Sequence, residues 1–524
     1  MPKDNQRQSR RTLFGYIAIF ILLILAAIFY VISRYKQLHF GDAKIDEIIF
    51  YFLNGMDGQS SNIMETVQDN LLFFGIVFFL LLLPVIDFYR NRININLDLS
   101  FLGHKKTKNI NPSQIPIKAK LAYALTAFLV SLILLLNSFS VLDYAVSLMR
   151  TSNFFEKHYV DPKSTELTFP ETKRNLIYIY LESMENTVAS RESGGQSEVS
   201  LIPELEQLAL DPNNISFSHQ EDRLGGALPA YGTTWTVGAI TAQSAGVPLK
   251  PNLLGEDGNG LGRFKQFLPG AFTLGEILQR EGYNQTFMIG SSASFGGRDK
   301  LFSQHGDYRI LDYDYAIEHG LIPTDYKVWW GYEDKKLFEN AKTELSRLGS
   351  QEQPFNFQLL TVDTHFTDGY LDPTCPTPRA KQYDNVHTCS SSQVANFISW
   401  IKDQPFADNT TIVITGDHLG MQTSYYDEII TQPDYRRTLY NVIINSPISP
   451  INQTERLYSS FDMYPTTLAA MGVVINGDQL GLGVNLFSPE PTLIEQYGSL
   501  EAFNTELMKR SEFYERKILV DSKD

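Results

Sequence analysis

The sequence predicts an α/β protein in which N-terminal transmembrane helices precede one large soluble domain, built on a mostly parallel sheet covered by helices on both faces. Three observations predict this. Long uncharged apolar runs are concentrated in the first 150 positions. Beyond them, short β-rich runs alternate with helical stretches, the pattern of parallel strands joined by helical crossovers. Acidic residues and a histidine stand where predicted strands end, the edge at which such sheets gather their functional side chains.

The chain has 524 residues, of which 43% are hydrophobic and 20% charged. That length points to more than one structural unit. Lys and Arg number 44 against 59 Asp and Glu, for a net charge of −15. A nucleic-acid binder needs basic surface to displace counterions, so no nucleic-acid partner is expected. Two cysteines exclude a disulfide-dense scaffold and a Cys-rich zinc framework.

Residues 1–149 read as a membrane domain with three spans, 13–33, 71–88 and 120–140. The first, LFGYIAIFILLILAAIFYVIS, carries no charge. At about 1.5 Å per residue it crosses a hydrocarbon core of roughly 30 Å. No clean small-residue cleavage site follows it, so it reads as a retained anchor. Basic residues set the orientation. Lys3, Arg7, Arg10 and Arg11 lie in the tail, and Arg90, Arg92, Lys105, Lys106, Lys108, Lys118 and Lys120 between the second and third spans. Both segments are expected in the cytoplasm, which places everything after about Arg150 outside. Between the first two spans, Ile48, Ile49, Phe50, Tyr51 and Phe52 suit either a segment lying on the membrane surface or a packed loop.

Residues 150–170 read as a linker, 171–515 as the extracytoplasmic domain and 516–524 as a polar tail. Strands are predicted at Asn175–Leu181, Tyr283–Ile289, Phe355–Val362, Thr411–Thr415 and Leu439–Ile444. Helices are predicted at Ile202–Leu210, Phe272–Glu281, Asp334–Leu348, Ser391–Asp403 and Phe461–Met471. The region 370–390 reads as a loop and holds both cysteines, Cys375 and Cys389. Outside the cytoplasm these can form a disulfide worth roughly 3 kcal/mol; two free thiols are the alternative.

Glu182 directly follows NLIYIYL, and Asp417 and His418 follow TIVITG. Two carboxylates and an imidazole suit a divalent cation: manganese, magnesium or zinc. The stretch Gly232–Thr236, GTTWT, lies after a Gly- and Pro-rich loop and before VGAITAQSAG. A hydroxyl opening a helix there meets free N–H groups and the positive dipole end, which suits a nucleophile that must hold a phosphoryl group. Standing alone, Asp417-His418 would be a turn and Glu182 a salt-bridged carboxylate.

The ordered pieces NLIYIYLESMENT (175–187), GTTWTVGAITAQSAGVPL (232–249), SFGGRDKLFSQHG (294–306), TVDTHF (361–366), TGDHLG (415–420), FDMYPTTLAAMG (461–472) and LGLGVNLF (480–487) resemble the alkaline phosphatase and sulfatase superfamily. Within it the chain looks like the membrane-anchored phosphoglycerol transferases: the lipoteichoic acid synthases and the enzymes that decorate periplasmic glucans. The second piece looks closest to the glucan-modifying branch. The resemblance implies a sulfatase-like domain in which Glu182, Asp417 and His418 hold one divalent metal ion. It also implies a threonine nucleophile that joins the metal site. Thr236 is the first candidate, followed by Thr234 and Thr233. His365 matches a substrate-facing histidine. Arg298 and Trp330 match contacts to glycerol phosphate, against the simpler readings of a carboxylate-paired arginine and a packed indole.

The activity so implied is transfer of phosphoglycerol from phosphatidylglycerol, through a phosphoglycerol-threonine intermediate, to the hydroxyl of a glucan or other polyol acceptor. The enzyme would be multi-pass in the inner (cytoplasmic) membrane, with its catalytic domain on the periplasmic or extracellular side. A phosphoethanolamine transferase would use the same site but usually has more cysteines. A sulfatase-like hydrolase would need a C/S-x-P-x-R stretch that GTTWT lacks. A non-catalytic membrane sensor would have no need of the intact Glu182, Thr, Asp417 and His418 set.

Overall fold

The computed structural model describes residues 2–40, 45, 48–49, 63–86, 95–101, 104–110, 115–250 and 266–520. It separates into two units, one of Met1–Leu38 with Ser61–Leu142 and one of His39–Ser60 with Asp143–Asp524.

The first unit contains helices Pro2–His39, Ile63–Leu82 and Ile117–Ser138, with an antiparallel hairpin of Ile95–Phe101 and His104–Ile110 that sequence patterning does not announce. Two helical segments, Thr12–His39 and Ile117–Ser138, are long and apolar enough to cross a membrane; the apolar part of the middle helix, Asn70–Leu82, is shorter. That helix stops short of the expected 88 because Pro84 cannot continue the backbone ladder; residues 87 and 88 lie outside the described set. Ile19, Leu23, Val85 and Ala124 pack together. Many other apolar side chains point outward, including Leu13, Phe14, Leu72 and Ile133, as a lipid-facing surface requires. Polar groups inside are bonded: Tyr123 Oη donates to Leu81 O at 3.1 Å and Lys120 Nζ to Val85 O at 3.1 Å. Of the apolar segment around residues 48–52, residues 50–52 fall outside the described set.

The second unit is organised by a six-stranded sheet ordered Arg309–Leu311, Asn284–Ile289, Phe355–Leu360, Asn175–Leu181, Thr410–Gly416 and Asn441–Ile444. All neighbours are parallel except the last pair. The central strand, NLIYIYL, is buried at every position, and its side chains alternate between two cores. Leu176, Tyr178 and Tyr180 join the helices Thr236–Ala245 and Met463–Ala470 on one face. Ile177, Ile179 and Leu181 join Asp334–Gly349 and Gln382–Lys402 on the other. Each fully buried Leu or Ile contributes about 1.5–3 kcal/mol. These two faces explain why the strand reads as an unbroken apolar run rather than an alternation.

One strand is new and three expectations change. Arg309–Leu311 is a strand that three residues of mixed character did not reveal. The expected linker, 150–170, is built into the domain: Phe154 and Phe155 are buried in its core, and Ser152 N donates to Arg510 O at 2.9 Å. The expected polar tail contributes buried Ile518 and Leu519, and Ile518 O accepts from Gly270 N. The end of the expected 370–390 loop is helical from Gln382, which places Cys389 on a helix, joined by a disulfide to Cys375.

Candidate metal and nucleophile site

Three adjacent strands deliver the site. Tyr180 lies opposite Leu360, and Leu181 opposite Gly416. The chain therefore leaves the sheet at Glu182, Thr361 and Asp417 side by side. Thr361 Oγ1 accepts from Glu182 N at 3.0 Å, and Asp417 Oδ1 accepts from Ser183 N at 2.8 Å and His418 N at 2.7 Å.

Candidate ligand atoms of Glu182, Asp417 and His418 all lie within 4.8 Å of one another, and each residue is buried. His418 Nε2 is 3.4 Å from Glu182 Oε1 and 3.4 Å from Asp417 Oδ2. The Nδ1 of His418 meets Leu419 O at 2.9 Å. That contact favours the tautomer in which Nε2 carries the lone pair needed by a metal. Asp417 Oδ2 is buried and accepts no hydrogen bond among the described residues, a costly arrangement for an isolated carboxylate oxygen. Burial tends to push Glu182 up, but His418 and His365 hold it down to about 2. Burial and the charge of Glu182 push Asp417 up to about 7. Burial opposes charging of His418, yet Asp417 and Glu182 raise it to about 10. Two hard carboxylates, one imidazole and an orphaned oxygen fit a divalent cation.

Thr236 opens the ten-residue helix Thr236–Ala245. Trp235 precedes it in extended conformation, with no side-chain cap on the first turn. Thr236 Oγ1 lies 3.5 Å from Glu182 Oε2 and 3.4 Å from His418 Nε2. Thr233 instead donates its hydroxyl to Ala230 O at 2.9 Å. The helix is held against the sheet by Gln243, whose Oε1 accepts from Tyr178 Oη at 2.7 Å and whose Nε2 donates to Gly416 O at 3.3 Å. It ends at Gly246, with φ +64°, where a Cβ would stand 2.8 Å from Leu480 O.

His365, Trp330 and Arg298 meet through aromatic contacts. The Trp330 ring is 4.5 Å from His365 and 5.3 Å from Phe295, and the Arg298 guanidinium sits 5.5 Å over Phe295. Arg298 is buried and donates to Ser292 O at 3.0 Å. Burial lowers His365 below the ordinary imidazole value, against the pull of Glu182, and its Nδ1 meets Phe366 O at 2.7 Å. Sequence reasoning overlooked the supporting groups Ser183, Thr361, Thr364 and Gln243. All four lie inside the recognised pieces 175–187, 232–249 and 361–366.

The parallel sheet thus sets a buried Glu/Asp/His cluster beside a helix-opening threonine. Residues 242–473 match the sulfatase family. The match includes Arg298, Trp330, His365, Asp417 and His418 and begins after Glu182 and Thr236. Phosphoglycerol transferase I of Escherichia coli strain K12 is 32% identical over 301 residues, covering 55% of this chain and 36% of the relative. Phosphoglycerol transferase I of Escherichia coli strain SMS-3-5 is 31% identical over 298 residues, with the same coverage. The chain thus spans little more than a third of the length of these curated relatives. Among solved structures, a Vibrio parahaemolyticus protein in the alkaline phosphatase superfamily aligns at TM-score 0.48 and 20% identity over 64% of this chain and 76% of its own. The lipoteichoic acid synthase LtaP of Listeria monocytogenes aligns at 0.47 and 18%, over 62% and 79%.

Proposed function

We propose that the protein transfers phosphoglycerol from phosphatidylglycerol, through a phosphoglycerol-Thr236 intermediate, to an acceptor hydroxyl on a periplasmic glucan. One observation carries this reading: the Thr236 hydroxyl at a helix N-terminus lies within 3.5 Å of both Glu182 and His418. The relatives named phosphoglycerol transferase I support the choice of group transferred.

Glu182, Asp417, His418 and Thr236 would hold one divalent ion, manganese, magnesium or zinc, which when bound lowers the hydroxyl pKa and withdraws charge from phosphoryl oxygens. Thr236 Oγ1 attacks phosphorus, and the bond from phosphorus to the diacylglycerol oxygen breaks. The hydroxyl proton is lost from Thr236 and a proton is gained by diacylglycerol. An acceptor oxygen then forms its bond to phosphorus as the Oγ1–P bond breaks, and Thr236 regains its proton. Free N–H groups of the first helical turn face the anionic phosphoryl group and the dipole favours it. With Nδ1 donating to Phe366 O, neutral His365 keeps Nε2 as a proton acceptor for the incoming hydroxyl. Arg298 and Trp330 contact the glycerol phosphate. The N-terminal helices would anchor the enzyme in the bilayer that holds its lipid donor, with the catalytic domain on the outer side of the cytoplasmic membrane.

The test is incubation of the full-length protein with head-group-labelled phosphatidylglycerol, a divalent ion and a glucan. The reading requires release of diacylglycerol and label on the glucan. Absence of both would remove it.

A further inference from the structure

Glu185 is completely buried, three residues beyond Glu182. Arg437, 252 residues away in sequence, grips it with two charge-assisted bonds: Nε to Oε1 at 2.9 Å and Nη2 to Oε2 at 2.5 Å. Both partners also hold one residue of the other ligand-bearing loop. Glu185 Oε2 accepts from Gly420 N at 2.8 Å, and Arg437 Nη2 donates to Gly420 O at 2.7 Å. Gly420 is two residues beyond His418. It must be glycine, because a Cβ there would lie 2.0 Å from the buried Tyr426 hydroxyl. The Arg437 guanidinium stacks 4.3 Å over that same Tyr426 ring. The loops 182–185 and 417–420, which supply all three candidate ligands, are thus tied at their far ends by a single forked ion pair.

A buried ion pair is a poor source of stability, since desolvation offsets most of its attraction. Its geometry here does something hydrophobic packing cannot: a planar fork sets the distance and angle between two loops. We propose that Glu185 and Arg437 are positioning residues that set the separation of Glu182 from Asp417 and His418, and through it the affinity of the site for a divalent cation. The proposal rests on the metal reading of the site given above.

The experiment is calorimetric titration of manganese into the full-length, chelator-stripped protein in detergent. Arg437→Lys keeps the charge and loses the fork. The double variant Glu185→Gln/Arg437→Met removes both charges, so that no unpaired buried ion confounds folding. The expected result is manganese binding weakened by about 10–100-fold in both, with near-UV circular dichroism of the metal-free protein unchanged, while Arg436→Ala, on the exposed neighbour, binds as wild type does. If Arg437→Lys does not fold, the double variant decides. A folded double variant with wild-type affinity overturns the proposal, and one that cannot fold assigns the pair to the scaffold instead. A wild-type protein that takes up no divalent cation overturns the positioning role and the metal reading together.

Discussion

The hydroxyl oxygen of Thr236 lies 3.4 Å from Nε2 of His418, although 182 residues separate them in sequence. A helix start and a strand end place an alcohol beside a candidate ligand. If that alcohol is the nucleophile, Thr236→Ala should lower release of diacylglycerol from phosphatidylglycerol by on the order of 10³-fold or more. The variant should stay folded, since the hydroxyl contributes only about 1 kcal/mol. Thr233→Ala should remove a buried bond to Ala230 O, lowering stability by about 1 kcal/mol while turnover stays within a few-fold. Thermal melts and lipid product analysis of both variants separate the roles.

How much of this was legible in the sequence depends on whether a signal is local. Asn175–Leu181 and Thr410–Gly416 announce themselves as apolar runs because both faces of the sheet are covered. Glu182 and Asp417 stand out as the charges that end those runs. The Glu185–Arg437 contact is invisible in sequence, because nothing local pairs residues so far apart. Arg309–Leu311 is too short to show a period. Residues 150–170 looked like a linker because the side chains that tie them to the domain, Phe154, Phe155, Tyr159, Leu167 and Phe169, are scattered at no helical or strand period.

Metal removal should destabilise the protein. A ligand that binds only the folded state adds about 2.7 kcal/mol at one hundred times its dissociation constant. Manganese should therefore raise the melting temperature of the wild type and chelation should reverse the rise. Asp417→Asn should abolish the response. It should also leave the metal-free form at least as stable as the wild-type metal-free form, because it neutralises a buried carboxyl facing Glu182.

Acid should act through His387. Burial pushes its pKa down to about 3, and among the described residues neither ring nitrogen has a hydrogen-bond partner. The unfolded chain takes up this proton near pH 6.5, whereas the folded chain resists it. The stabilisation is complete above about pH 6.5 and is lost as pH falls toward 3, at about 1.4 kcal/mol per unit. Denaturant unfolding between pH 7 and 4.5 should show a shallower decline in His387→Leu than in the wild type. Parallel declines would exclude His387 as the responsible group.

The Cys375–Cys389 disulfide spans 14 positions. Cross-linking a loop of that size stabilises by about 3 kcal/mol on the chain-entropy estimate. Replacing both cysteines by alanine should lower the melting temperature measurably. Turnover at 25 °C should be unchanged, because neither residue borders Glu182, Thr236, Asp417 or His418.

The central claim is that the Thr236 oxygen takes the phosphoryl group onto the protein. Its most direct test is to mix full-length protein with head-group-labelled phosphatidylglycerol in the absence of acceptor, quench, and map the label by peptide mass spectrometry. The account predicts a phosphoglycerol adduct on Thr236 that disappears when glucan is added. Diacylglycerol released with no adduct, or an adduct on Thr233 or Thr234, would contradict it.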